Sequence, residues 1–209
     1  MPAGGFKLEN RKGSDCLVPV GTPDDLAATH PCVEQPCLHR VLADCRHDRI
    51  VHFASLYGLL TATGKNLQPE PVDIWHREIR ALRNATALWD AIAAEDAAAL
   101  RRVLPQHQAA KGKELFGLAR EYLARRVTEK MAGGRFELIA EPDFVLHHRP
   151  ARLIDAIWQT FAQEIAGVIT CAKCPAPKCG RWFLHSEGRG DRQYCCHACQ
   201  MRVWRKGTP

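Results

Sequence analysis

Four cysteines near the carboxyl end restrict this chain more than any other feature. From Cys174 it reads CPAPKCGRWFLHSEGRGDRQYCCHACQMRVWRK, in which the pair Cys174/Cys179 is separated by 15 residues from the pair Cys195/Cys199. Two close pairs at such a distance match the ligand spacing of one tetrahedral metal ion, and zinc suits four thiolates. The 36 residues from Cys174 bury too little apolar surface to hold a shape unaided, so a metal staple is what would let them fold.

Read locally, the segment predicts a turn, a hairpin and a helix. Gly180 after Cys179 lets backbone amides face the thiolates. Residues 181–184 read as a short strand, 186–190 as a turn, and 192–194 as the return strand. Cys195 and Cys199 stand four apart, on one face of a helix whose N-terminus favours thiolates. This is a treble-clef-like order, with Trp182, Phe183 and Tyr194 expected to form a small core over the metal. The preferred ligands are Cys174, Cys179, Cys195 and Cys199. Cys171, Cys196 and His197 stand close enough in sequence to replace one of them.

Charge follows the same segment. The whole chain carries +6, and residues 174–209 hold seven basic side chains against Glu187 and Asp191. Four thiolates and one divalent ion would remove two of those five net positive charges, which leaves a modest, salt-sensitive attraction to polyanions. Past Cys199, Arg202, Arg205 and Lys206 share a helix face, while Met201 and Trp204 are expected to pack on the finger. Arg181, Arg192, Gln200, Arg202, Arg205 and Lys206 are the candidate nucleic-acid contacts, being residue types that reach phosphates or base edges.

The rest of the 209 residues reads as mainly α. Residues 1–46 show no sustained periodicity and read as an irregular leader, although Cys32 and Cys37 repeat the Cys174/Cys179 gap and raise the question of a second metal site. Residues 47–170 read as a helical domain. Ile50, Phe53, Ala54, Tyr57 and Leu60 recur at helical spacing up to Gly64. Pro71 opens a helix with Ile74, Trp75, Ile79, Leu82, Ala85, Leu88, Trp89 and Ile92 on one stripe. A short helix ends at Pro105, and a longer one, with Leu115, Ala119, Leu123 and Val127 on a face, ends at Gly133-Gly134. Two extended pieces flank Glu141-Pro142, and a last helix from Pro150 is expected to run without a break into Cys171. Residues 171–209 form the third unit, the metal finger.

CPAPKCGRWF, the basic turn, RQYCCHAC and the basic helix resemble the CGNR zinc-finger proteins of bacteria, over about residues 171–206. FASLYGLL and WHREIRALRNA carry a weaker likeness upstream. The resemblance implies an N-terminal helical domain of the ABATE type, one zinc held by Cys174, Cys179, Cys195 and Cys199, and a stress-linked role in transcription. The tetrapeptide that names the family reads Cys199-Gln200-Met201-Arg202 here, so only its Cys and Arg are kept, and the last cysteine gap is one residue shorter.

The expected function is therefore zinc-dependent DNA binding in transcriptional control, with the helical domain sensing a small molecule or mediating homodimerisation. The alternative is a zinc-stabilised adaptor that binds proteins and no nucleic acid. Trp75, Trp89 and Trp158 would line any apolar pocket, although such residues usually fill a core. An enzyme is not expected. The chain has no phosphate-cradling glycine motif, no H-E-x-x-H and no nucleophile elbow, and a zinc with four sulfur ligands leaves no position for water. No apolar run reaches the length of a membrane span, and the start MPAGGFKLENRKGSD lacks an apolar signal stretch. The expected compartment is the cytoplasm, where cysteines serve as metal ligands before they form disulfides.

Overall fold

The computed structural model describes residues 4–20, 31–63, 67–104, 106, 110–140, 144–185 and 193–207. Expectations that fall on Gly64, Pro105, the 186–190 turn and Arg192 lie outside these residues. The chain is mainly helical. Its first elements are nonetheless strands, β1 (Phe6–Arg11) and β2 (Ser14–Pro19), antiparallel and paired from Phe6↔Pro19 to Arg11↔Ser14. Lys12 and Gly13 close the hairpin at φ 52° and 85°, the double left-handed turn that matches strand twist. A two-residue strand β3 (Glu70–Pro71) adds to β2 through Leu17↔Glu70.

The segment read as irregular is thus built into the body. Leu17 is fully buried, and Phe6 joins it in the main core. After α1 (Pro31–Glu34) comes α2 (Leu38–Ala43), with Leu38, His39, Arg40, Leu42 and Ala43 all buried. The next helix, α3 (Ile50–Tyr57), stops at Gly58, whose φ of 100° no side-chain-bearing residue adopts easily, so Leu60 lies beyond the helix.

Helix α4 (Val72–Ala93) follows the predicted stripe: Trp75, Ile79, Leu82, Ala85, Leu88 and Ile92 are buried. It lies at the centre, with α2, α5 (Ala97–Val103) and α6 (Gly112–Met131) against it. Asp96 caps α5 by accepting from the Ala98 and Ala99 amides, each at 2.9 Å. Strands β4 (Arg135–Ala140) and β5 (Phe144–Arg149), the two pieces read as extended, pair antiparallel.

Helix α7 (Leu153–Ile165) closes the body over α2 and α6 with Ile154, Ile157, Trp158 and Phe161. Each such side chain contributes about 2 kcal/mol by leaving water. Trp75 and Trp158 are fully buried among core side chains and Trp89 is partly buried, so the three pack the body. Helix α7 does not continue to Cys171. It ends at Ile165 with Ala166 as its cap, and Gly167 at φ 74° turns the chain out. Among the described residues no helix is long and apolar enough to cross a membrane.

Candidate metal centre

The carboxyl-terminal unit is a two-stranded ribbon followed by a helix. Strand β6 (Cys171–Lys173) pairs antiparallel with β7 (Trp182–Leu184), in the register Ala172↔Phe183. The expected return strand at 192–194 is not what pairs with 182–184. Cys171–Lys173 holds that place, because it closes the Cys174–Cys179 turn into a hairpin. The Cys174 amide donates to the Arg181 carbonyl at 2.8 Å, and Lys178 and Gly180 take φ of 61° and 62° to make the tight knuckle. Helix α8 (His197–Gly207) then brings Cys199 back over it.

Cys174, Cys179, Cys195 and Cys199 converge so that their four sulfurs lie within 4.8 Å of one another. Cys179 and Cys195 are 3.5 Å apart and Cys195 and Cys199 3.6 Å. A tetrahedron with metal–sulfur bonds of about 2.3 Å has edges of about 3.8 Å, so this group could hold a metal ion. The Arg181 backbone N–H points at the Cys179 sulfur and brings that thiol down to about 7. That is the role expected of a turn ending in Cys-Gly. Cys199, which donates towards Cys179, is pushed up to about 11, and burial is the main cause that raises Cys195.

Of the candidate substitutes only Cys196 lies beside the group, its sulfur 3.9 Å from that of Cys195. Cys196 and His197 are exposed. Cys171 is bonded to Cys37 in a disulfide that spans 134 positions of sequence. Cysteines expected only as thiols or ligands therefore include one cross-link. It also removes Cys37 from any pair with Cys32, which belongs to no metal-holding group among the described residues and whose thiol burial pushes up to about 11.

The small core over the sulfurs is Cys174, Ala176, Phe183 and Cys199, with Tyr194 and Val203 against it. Phe183 and Tyr194 are where the sequence put them, but Trp182 is not. It turns to the body, where its indole N–H donates to Asp44 at 2.9 Å and the Arg40 guanidinium lies 5.1 Å from its ring centre. Lys173 also reaches Asp44 at 2.8 Å, and the Gln35 amide donates to the Trp182 carbonyl at 3.4 Å. Burial raises the Asp44 carboxyl, but the bonds from Lys173 and Trp182 outweigh it and hold the group below its ordinary value. A cleft of about 930 Å³ runs along this seam, lined by Val41, His52, Leu56, Tyr57, Trp182 and Leu184 among others.

Helix α8 is phased differently from the sequence reading. Cys199 and Val203 face the finger core, which leaves Trp204 65% exposed rather than packed. Arg181, Gln200, Arg202 and Arg205 are exposed. Arg202 bends back, its Nη1 donating to the Pro177 carbonyl at 3.1 Å, so it braces the knuckle. Lys206 follows Arg205 on the same helix. No family model, curated protein or solved structure matches the chain.

Proposed function

We propose that the chain is a zinc-binding, DNA-binding regulator of transcription, with one zinc ion held by Cys174, Cys179, Cys195 and Cys199. The observation that carries this reading is the meeting of those four sulfurs at the start of a helix that turns exposed basic residues outward. Four-sulfur coordination has no open position, so the ion would serve as a structural staple. Its bond energy would then be the folding energy of a segment whose own core is only a handful of side chains.

Arg181, Gln200 and Arg205 are the groups presented for contact, with Arg202 held as a brace and Lys206 further along the helix. Trp204 supplies an exposed aromatic surface beside Arg205, a combination suited to a sugar–phosphate backbone or an unstacked base. The likeness of the cysteine segment to CGNR zinc fingers supports the same reading.

The test is a gel-shift titration of the zinc-loaded chain on a mixed-sequence DNA duplex at low and moderate salt. The expected result is a shift that chelation abolishes, that weakens as salt rises, and that R181A/R205A reduces severalfold. Equal shifts by wild type and R181A/R205A would refute it. The second reading, a zinc-stabilised adaptor, draws on the seam cleft and on Leu56, 49% exposed at its rim. It predicts protein capture with no salt-dependent DNA binding.

A further inference from the structure

A second group of ligand-type side chains lies at the seam, separate from the four sulfurs. Cys37 is fully buried at the start of α2, and Cys171 begins β6. The Cys171 sulfur, a ring nitrogen of His39 and a carboxylate oxygen of Glu164 lie within 4.8 Å of one another, and Cys37 is bonded to that same sulfur. His39 is 0% and Glu164 8% exposed. His39 Nε2 faces Glu164 Oε2, while its Nδ1 lies 3.1 Å from Thr160 Oγ1. The Arg40 guanidinium grips the Glu164 carboxylate through Nε and Nη2.

The hydrogen bonds here have a preferred bookkeeping. Thr160 has one hydroxyl proton and donates it to the Ile157 carbonyl at 2.8 Å. His39 Nδ1 must then carry a proton and donate to Thr160. Nε2 is then the ring nitrogen that shares a proton with Glu164 Oε2, and it is the atom a metal would take. A metal bound there would replace that proton, with the nitrogen and the oxygen drawing apart to ligate it. The Nδ1–H bond to a fixed acceptor is how a metal-bound imidazole is held in its tautomer.

We propose that Cys37, His39, Glu164 and Cys171 form a second metal site, for a divalent ion of the zinc type, that opens when a dithiol reduces the Cys37–Cys171 bond. The dithiol supplies two electrons and two protons, becomes a disulfide itself, and leaves two thiols. These lose two protons as the metal binds, and the proton shared by His39 and Glu164 leaves with them. Two thiolates, a carboxylate, a neutral imidazole and a dication sum to −1, and Arg40 offsets that charge from the outer face of Glu164. Soft sulfur with imidazole and one carboxylate suits zinc or cobalt rather than magnesium or calcium. The ligands come from α2, α7 and β6, so the ion would tie the finger to the body in place of the covalent bond.

The full chain is purified without reductant in zinc-containing buffer. One portion is then treated with dithiothreitol, desalted anaerobically and titrated with zinc. Elemental analysis is expected to give one zinc per chain in the untreated portion and two in the reduced one. Reduced C37S and reduced H39Q are each expected to hold one. C195S/C199S, which removes the finger ligands, is expected to hold none as isolated and one after reduction. That last ion, exchanged for cobalt, should show weaker sulfur-to-metal charge transfer than the finger site, having half its thiolates. Equal zinc in reduced and unreduced wild type would overturn the proposal, even if the variants misfold. So would an extra ion that survives H39Q. Loss of the finger ion alone would overturn the four-cysteine reading and leave this one standing.

Discussion

Arg40 offers the sharpest test of how the body is held together. Its side chain is 6% exposed and bonds Glu164 through two nitrogens and Asp90 through the third, at 2.9 Å. R40M keeps the aliphatic stem and removes the charge, with the Cys37–Cys171 bond left intact. The Asp90 arm contributes little, since Asp90 is 59% exposed and such pairs are worth up to about 1 kcal/mol. The Glu164 arm decides the outcome. Removing one partner of a buried pair costs about 3–5 kcal/mol, because the other charge stays in the interior. His39 remains beside Glu164, which places the loss near the lower figure, about 3 kcal/mol. A chain of 209 residues loses about 2–4 °C of Tm per kcal/mol, so the expected drop is about 6–12 °C by circular dichroism. R40M/E164M, which removes both charges, should be more stable than R40M alone. A loss under about 1 kcal/mol for R40M, or a double variant that costs the sum of the two singles, would refute the reasoning.

Three further outcomes follow from the geometry. F161A should cost about 3–5 kcal/mol in urea unfolding, because Phe161 is fully buried against His39 and Trp158. D96A removes the cap of α5 and should cost about 1 kcal/mol in urea unfolding. D44A should speed proteolysis at the exposed Val168 by roughly two- to fivefold, since it frees Lys173 and Trp182 from the body. Asp44 sits below its ordinary value, so its contribution is complete above the unfolded carboxylate value, about 3.9, and fades as pH falls through the folded one. Wild-type cleavage at Val168 should therefore rise in that acid range, and D44N should show no such rise.

What could be read in advance was local. The stripe of α4 survives because one apolar face meets one core, and the four cysteines survive because their spacing is short and their chemistry narrow. The Lys12-Gly13 hairpin went unread because its turn lacks the Asn-Gly or Asp-Gly signal and β1 leaves Leu8 44% exposed, which blurs the alternation. The orientation of Trp204 was missed by one step of helix rotation, since Cys199 and Val203 set the phase. Nothing local distinguishes Trp182 from Phe183, and their fates differ because adjacent strand residues face opposite sides. The bond between Cys37 and Cys171 joins residues 134 positions apart, and no spacing rule reaches that far.

The way Trp182, Lys173 and Cys171 grip the body bears on how this protein can be taken apart. Many zinc modules can be cut out and grafted as cassettes. A cut between 170 and 171 would here strand half of a latch on each fragment: Gln35, Cys37, Arg40 and Asp44 on one, their counterparts on the other. A chimera that borrows only the last 39 residues would inherit the sulfur cluster and lose the footing that orients it.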